Sequence, residues 1–316
     1  MHHFCFRIRY ALPTPRTLLK DVARRYETVS EMSAVRMKNG SFRGRNAVNS
    51  GNMKPYRNGR ALPDFLIIGA QKSATTSLLS YIGRHSHVRL GGKKAVHFFD
   101  FNHHRGADWY AGHFPRVRQW PLSFFSPGKG TERDWLTGES CPSYMFLPDV
   151  PRRVRELLPD VKIVVILRNP VDRLISNYQH ERRKGRTEES FENFIAPSLL
   201  SGWPAVGDMA YVRQRCAVPR GFYVDQLRHW QRYFPIQRFL VLSFEDLVKN
   251  TPATLNGVFE FLGIEQQTVD TSTVLNRGTG GKPPVIAQGL RHQLEDLYRQ
   301  KNAGLEGITG RKFGWF

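Results

Sequence analysis

The sequence predicts an α/β protein with a central parallel sheet flanked by helices, and three observations lead to this prediction. Short apolar runs alternate with helical stretches from residue 61 onward, which is the pattern of successive βα units. The run Lys162–Leu167 is almost entirely β-branched, as expected for a parallel strand that is buried on both faces. The run Phe65–Ile68 ends at Gly69 and is followed at once by a Lys and four hydroxyl residues.

The remaining elements follow from apolar periodicity and from helix start and stop signals. The expected strands are Phe65–Ile68, Val96–Phe99 as a short strand or extended segment, Lys162–Leu167 and Phe239–Leu242. The expected helices are Leu78–Arg84, Pro151–Leu158, Val171–Lys184, Gly221–Phe234, Thr254–Leu262 and Gln288–Tyr298. Pro151 stands at a first-turn position, where its missing N–H is not needed. Gly263 directly follows a predicted helix, as a usual C′ residue does.

Composition separates a basic N-terminal segment from the rest of the chain. The chain has 316 residues, of which 40% are hydrophobic and 12% aromatic, enough to bury a sizeable core. Residues 1–63 contain 13 Lys and Arg against 3 Asp and Glu, which is half of the net charge of +20. We therefore expect residues 1–60 to be a basic, disordered tail and residues 61–316 to form the folded domain. No run near the ~18 apolar residues of a membrane span is present, and no signal-peptide pattern is found.

The segment after the first strand predicts an anion-binding site. A strand, a Gly-Lys loop and a helix N-terminus present free backbone N–H groups and a positive dipole end to a ligand, and Lys72 adds a full charge. The loop is not a Walker A motif, because Lys72 lies only three residues after Gly69 and no Gly precedes it. The alternative is a strand–turn–helix that binds nothing.

A second motif follows the strand Lys162–Leu167. Arg168 stands at the carboxyl end of that strand, Pro170 begins a helix, and Ser176 lies two turns into it. An Arg and a Ser in these positions are able to hold one phosphate, the Arg through bidentate hydrogen bonds. Alternatively, Arg168 caps the sheet edge or pairs with an acidic residue of the helix.

Together the two motifs resemble the nucleotide-binding elements of sulfotransferases that use 3′-phosphoadenylyl sulfate (PAPS). The sequences Val-His-Phe-Phe-Asp at 96–100 and Gly-Glu-Ser-Cys-Pro-Ser-Tyr at 138–144 are similar to the glycosaminoglycan branch, the heparan sulfate N- and 3-O-sulfotransferases. Further similarity runs through 221–247 and 297–315, so that the resemblance covers about residues 61–316. It implies the P-loop-like sulfotransferase fold, with PAPS as co-substrate and without a required metal.

The resemblance also implies a set of donor-binding residues. The loop on the 5′-phosphosulfate comprises Gly69, Lys72, Ser73, Ala74, Thr75, Thr76 and Ser77. Arg168 and Ser176 are implied to bind the 3′-phosphate. A late basic loop adds Arg277, Gly281 and Lys282, although the order of its residues departs from that of the family. The family usually has Gly where this chain has Ala74.

Sulfuryl transfer requires positive charge on the leaving phosphate and a base for the acceptor proton. Lys72 is the expected source of that charge. The glycosaminoglycan enzymes carry a Glu two residues before the His of the Val-His-Phe-Phe sequence, but this chain has Ala95 there. His97 is the favoured replacement base, Glu139 is the second candidate, and an inactive chain is the third interpretation.

The expected acceptor is an acidic polysaccharide of the glycosaminoglycan type, or another hydroxylated molecule, at a hydroxyl or amine. A small hydroxylated metabolite and a PAPS- or heparin-binding protein without activity are the alternatives. The sequence lacks the Walker A motif of a P-loop kinase, and it contains no nucleic-acid-binding motif. The resemblance implies the Golgi lumen, although the sequence contains no signal anchor. The three cysteines allow at most one disulfide, and their spacing suits no metal site.

Overall fold

A computed structural model describes residues 56–93, 95–117, 133–199, 216–272, 284 and 286–316 of the chain. The strands of this part are β1 (Tyr56–Arg57), β2 (Arg60–Ala61), β3 (Phe65–Gly69), β4 (Gly138–Ser140), β5 (Lys162–Leu167) and β6 (Phe239–Ser243). β1 and β2 form an antiparallel hairpin, and the other four form a parallel sheet in the order β4-β3-β5-β6. The predicted fold class is confirmed.

Helices cover the sheet on both faces. The described helices are α1 (Thr75–Ile82), α2 (Gly106–Ala111), α3 (Val150–Leu157), α4 (Pro170–Arg183), α5 (Phe191–Leu199), α6 (Tyr223–Gln231), α7 (Phe244–Lys249), α8 (Thr251–Leu262), α9 (Gln288–Lys301) and α10 (Leu305–Thr309), of which α4, α5 and α9 share a separate apolar cluster. Short 3-10 turns are found at His103–Arg105, Pro219–Gly221 and Ile236–Arg238. Among the described helices, none combines the length and apolar content needed to cross a bilayer.

The central strand β3 explains why its sequence is an unbroken apolar run. Leu66 and Ile68 pack into one core cluster with α2, α3 and α6, whereas Phe65 and Ile67 pack into another with α1 and α8. Successive side chains of a strand point to opposite faces, so both sets must be apolar when both faces are covered. All four of these residues are fully buried.

Helix starts at the carboxyl edge of the sheet are determined by local capping. The side chain of Asn169 accepts hydrogen bonds from the backbone N–H groups of Val171 and Asp172, and Pro170 occupies the first turn of α4. At the far end of α8, Gly263 has a φ of 76° in the left-handed region, which confirms its predicted C′ role. The Asn169 cap, two residues after the end of β5, fixes the start of α4, and Gly263 fixes the end of α8.

Several predicted boundaries are wrong, each for a physical reason. Val96–Phe99 is not a strand, because its N–H groups bond to side chains instead: the Tyr144 hydroxyl accepts from Phe98 N at 2.9 Å. Gly138–Ser140, which was not among the expected strands, is the edge strand β4, and it is too short to show an apolar pattern. The first helix begins at Thr75 rather than Leu78, since hydroxyl residues form its first turn.

Two further helix boundaries and the start of the folded part also differ from the sequence prediction. The helix predicted at Gly221–Phe234 is Tyr223–Gln231, preceded by a 3-10 turn, and the last long helix continues to Lys301. Residues 56–60, which the composition assigns to the tail, include β1 and the start of β2. The side chain of Arg60 donates to the carbonyl of Phe114 at 2.8 Å, which ties this hairpin to the domain.

Candidate active site

Three loops meet where the parallel strands end. The loop after β4 joins β3 through Cys141 N to Ile67 O (3.0 Å), and the loop after β3 joins β5 through Ala70 N to Ile166 O (2.7 Å). Ligands of open parallel sheets bind at this carboxyl edge. The edge therefore brings the first motif, the second motif and the residues after β4 into one place.

The loop between β3 and α1 has the backbone of an anion site. Lys72 has a φ of 71° and Ala74 a φ of 62°, so both adopt the left-handed conformation directly ahead of a helix N-terminus. Turns of this kind point successive N–H groups into a common concavity. Ser73, between them, is fully buried, and its hydroxyl has no hydrogen-bond partner among the described residues. A buried, unpaired hydroxyl in such a loop fits a bound phosphate or sulfate oxygen.

Two small residues permit this loop shape. A Cβ at Gly69 would lie only 2.7 Å from the Cβ of Met145, so a larger residue at this position would clash with the loop after β4. Ala74 is in the left-handed region that favours glycine, which gives a physical reason for the Gly that the resembling family usually has there. The departure at Ala74 is therefore a matter of backbone conformation and not of a missing functional group.

Positive charge is concentrated on the loop. Burial, followed by the nearby Arg183 and Arg168, lowers the pKa of Lys72 from 10.5 to about 8, with Glu181 acting in the opposite direction. Cations held together in this way repel one another until an anion enters. The free energy of that repulsion becomes available to binding when a multiply charged anion occupies the site.

Arg168 links the second motif to the first. Its Nη1 donates to the Lys72 carbonyl at 3.2 Å, and its guanidinium lies over the Phe244 ring at 4.5 Å from the centroid. The Tyr223 hydroxyl donates to the Arg168 carbonyl at 2.8 Å. Ser176 is half-buried on α4, in the helix that this arginine precedes. The guanidinium is thus held against the loop that carries Lys72, where the predicted phosphate-binding role remains a prediction.

His97 is part of a compact polar cluster. Its Nδ1 lies 2.8 Å from Asp100 Oδ2, 3.2 Å from Cys141 Sγ and 3.5 Å from Ser143 Oγ. The Asp100 side chain is completely buried, whereas the His97 side chain is 38% exposed. A buried carboxylate next to Nδ1 orients the ring. It leaves Nε2 as the nitrogen that is available to the molecule that accepts the sulfuryl group.

Glu139 occupies a different position from the one its sequence context suggested. It is 1% exposed on β4 and accepts hydrogen bonds from Val96 N (3.1 Å), Tyr110 OH (2.8 Å) and Tyr144 OH (3.0 Å). Burial raises the pKa of this carboxyl from 4.5 to about 7, against the effect of its three donors. Glu139 is enclosed by these partners and holds the segment that leads to His97, so its geometry is that of a positioning residue.

Sequence reasoning missed the partners that complete the His97 cluster. Asp100 was part of a recognised sequence but received no role, although its spacing of three residues from His97 was a usable signal. No sequence pattern pointed to Cys141 and Ser143, because they are more than 40 positions from His97 and meet it only through tertiary contacts. Ala95 is half-buried and packs against the core. The predicted late-loop residues Arg277, Gly281 and Lys282 lie outside the described residues.

Comparisons with known proteins identify the family of this chain. Residues 62–277 match the sulfotransferase domain family. The human heparan sulfate glucosamine 3-O-sulfotransferase 6 is 32% identical over 277 residues, covering 81% of this chain and 74% of that protein. The mouse bifunctional heparan sulfate N-deacetylase/N-sulfotransferase 3 is 30% identical, covering 79% of this chain and 30% of that protein. A sulfotransferase structure from Alicyclobacillus acidocaldarius has a TM-score of 0.62 and 26% identity, and it covers 81% of this chain and 99% of that one.

The fold and the anion site define a phosphosulfate-binding α/β protein. The chain belongs to the sulfotransferase family and is a PAPS-dependent sulfotransferase. The residues present fit this co-substrate: Lys72 and Arg168 provide positive charge at neighbouring strand ends, and the buried Ser73 hydroxyl is available to an oxygen of the phosphosulfate.

Proposed function

We propose that this protein transfers the sulfuryl group of PAPS to a hydroxyl or amine of a glycosaminoglycan-type polysaccharide, with His97 as the base. The observation that supports it most is the His97–Asp100 contact of 2.8 Å, in a cluster that includes Cys141 at the sheet edge where the loop of Lys72 also begins. It provides a proton acceptor in a chain that has Ala95 in the position of the family's usual Glu.

Donor chemistry rests on the loop and on Arg168. PAPS supplies an activated sulfuryl group whose leaving group is a phosphate. The Lys72 ammonium and the N–H groups at the start of α1 lie where negative charge grows on that phosphate, and preorganised donors in such a place lower the barrier strongly. Arg168 binds the 3′-phosphate of PAPS, and the half-buried Ser176 hydroxyl is the proposed second group that binds this phosphate.

Acceptor activation rests on His97. Nδ1–H donates to the Asp100 carboxylate, so that Nε2 carries the free electron pair that takes the acceptor proton. Asp100 stabilises the imidazolium that forms. The backbone around His97 is held by Glu139 through Val96 N and by Tyr144 through Phe98 N. Glu139 is enclosed by its partners and supports this geometry without meeting the acceptor.

A polyanionic acceptor suits the charge around the cleft. Arg182, Arg183 and Lys184 are exposed at the end of α4, the helix that carries Ser176. Lys93 and Arg105 lie over the Trp109 ring, at 5.8 and 4.5 Å from its centroid. The relatives described above act, by their names, on heparan sulfate and its glucosamine, which supports the polysaccharide over a small hydroxylated metabolite.

The test is transfer from radiolabelled PAPS by the full-length chain. The acceptor panel contains desulfated and partly sulfated heparan-type polysaccharides and small hydroxylated compounds, each with and without protein. We expect label in the polysaccharide. Label in small acceptors alone would favour the metabolite alternative. A thermal shift with PAP but no transfer to any acceptor would favour the donor-binding, inactive alternative.

Matched variants locate the acceptor surface. Replacement of Arg182 and Lys184 by Ser should raise KM for the polysaccharide at least ~5-fold with little change in KM for PAPS, because both side chains are exposed and neither is among the charges that act on Lys72, as Arg183 is. Arg238→Ser is the control, since Arg238 precedes β6 at the opposite edge of the sheet and pairs with Asp160. Equal effects of both changes would contradict the assignment of this surface.

A further inference from the structure

Four polar side-chain atoms surround one point next to Nδ1 of the His97 ring. They are His97 Nδ1, Asp100 Oδ2, Cys141 Sγ and Ser143 Oγ. All six distances between them fall between 2.6 Å, for Ser143 to Asp100, and 3.7 Å, for Cys141 to Asp100. Four atoms at such mutual distances form the corners of a small, slightly irregular tetrahedron.

The size of this tetrahedron matches a metal coordination shell. Edges near 3 Å place the centre about 2 Å from each corner, and zinc binds N, O and S at roughly 2.0, 2.1 and 2.3 Å. Outward movements of a few tenths of an ångström would bring the four atoms to coordination distance. No larger rearrangement of the loop after β4 is required.

The charges of the cluster also suit a divalent cation. The Asp100 carboxylate and a Cys141 thiolate together neutralise a charge of +2, so the loaded site carries no net charge in a region where both side chains are buried. The combination of imidazole, carboxylate and one thiolate selects zinc-like ions over magnesium or calcium, which prefer oxygen ligands alone. The partly exposed His97 ring gives an ion a route from solvent.

We propose that His97 Nδ1, Asp100 Oδ2 and Cys141 Sγ form a binding site for Zn²⁺, with an oxygen at the Ser143 corner as the fourth ligand. Binding deprotonates the Cys141 thiol and releases that proton to solvent, while the imidazole binds in its neutral form. No oxidant, reductant or further reactant is involved.

The site has a consequence for activity, which rests on the proposed role of His97. A neutral imidazole that ligates zinc through Nδ1 carries its hydrogen on Nε2, so Nε2 no longer has an electron pair for the acceptor proton. The metal also takes the Asp100 carboxylate that would stabilise the imidazolium. Zinc should therefore inhibit transfer reversibly, and the transfer reaction itself still needs no metal.

Cobalt(II) is the probe for binding, because a cobalt–thiolate bond gives a charge-transfer band in the near ultraviolet. The full-length protein, first treated with chelator, is titrated with Co²⁺ and then with competing Zn²⁺. Cys141→Ser tests the site, and Cys5→Ser and Cys216→Ser are matched controls that remove the other two thiols of the chain. We expect the band in the wild type and in both controls, and its loss in Cys141→Ser with affinity lowered at least ~10-fold. A band absent from the wild type, or unchanged in Cys141→Ser, would overturn the proposal.

Transfer assays then test inhibition separately from binding. Zinc should inhibit the wild type and the two control variants, with recovery on addition of chelator. Cys141→Ser should require at least ~10-fold more zinc than the wild type to lose the same fraction of its own zinc-free activity. Cobalt binding at Cys141 in a protein without transfer activity would contradict the proposed function and still support the metal site. Equal zinc sensitivity of all four proteins would contradict the inhibitory role of this site.

Discussion

The donor loop and the His97 cluster lie at the same edge of the sheet but are built in different ways. The donor loop is one continuous piece of chain from Gly69 to Ser77, and its shape depends on two left-handed residues and a helix start. The His97 cluster joins residues that are up to 46 positions apart, and hydrogen bonds from Val96 N to Glu139 and from Phe98 N to Tyr144 hold its two segments together. The donor side therefore has a sequence signature, whereas the acceptor side depends on tertiary contacts.

This difference has a chemical counterpart. The donor side must bind a fixed set of phosphates, so its cations and N–H groups are preorganised. The cations repel one another before the phosphates bind. The acceptor side needs one base in a defined orientation, and several residue arrangements satisfy that need. A chain with Ala95 can thus keep its donor site and place the proton acceptor on a neighbouring His97–Asp100 pair.

The largest effect should come from the donor side. Lys72→Ala is expected to lower kcat/KM for transfer about 10³-fold, because it removes the charge that faces the leaving phosphate. PAP affinity should also fall, as measured by isothermal titration calorimetry. Lys249→Ala, an exposed lysine on α7, is the control and should remain near wild type. A Lys72→Ala enzyme with wild-type kcat would contradict the role of the loop.

Glu139 should matter for stability more than for chemistry. Glu139→Ala leaves the Val96 N–H and the hydroxyls of Tyr110 and Tyr144 without their acceptor, and the free energy of unfolding should fall by about 3 kcal/mol. Urea unfolding measures this change. Glu156→Ala, at an exposed ion pair on α3, should alter it by less than ~0.5 kcal/mol. Transfer that is abolished in a Glu139→Gln protein of wild-type stability would instead favour Glu139 as the base.

The pH dependence of PAP binding should report Lys72. Its pKa of about 8 in the free protein rises when an anion binds, so binding takes up a proton above that pH. Affinity is then greatest below pH 8 and falls about tenfold by pH 9. In Lys72→Arg the charge persists, and the decline should disappear. An equal decline in both proteins would assign the titration to another group.

The smallest expected effect concerns Ala74. Glycine adopts a φ of 62° without the penalty that alanine incurs, although it also gains freedom in the unfolded chain. The net gain of Ala74→Gly should be about 0.5 kcal/mol in unfolding free energy, with PAP affinity unchanged. Thermal unfolding is the measurement. A clear loss of stability would show that the left-handed conformation is not the relevant constraint at this position.

The sequence predicted the long features of the fold because their patterns are local. The strand Lys162–Leu167 has the predicted bounds, since burial on both faces demands an apolar residue at every position from Ile163 to Leu167. Strand β4 was missed because it has only three residues, and one of them is the charged Glu139. β4 is a strand because it pairs with β3, and no local sequence pattern predicts that pairing.

The candidate site divides in the same way. Lys72 and Arg168 were predicted from their places after two strands, and the structure joins them through the Lys72 carbonyl. His97 was predicted as a base, but its contacts with Cys141 and Ser143 were not. Cysteine spacing alone predicted no metal site, because the ligands of the proposed zinc site lie on two segments that meet only in the folded protein.

The central claim is that His97 is the base of a chain with Ala95 in the usual place of a Glu. The most direct measurement is the single-turnover rate of sulfuryl transfer at saturating PAPS, for the wild type and His97→Ala, in chelator-treated protein. We expect the variant to be about 10²-fold slower, with PAP affinity within ~2-fold of wild type. A transfer rate within ~3-fold of the wild type would contradict the claim.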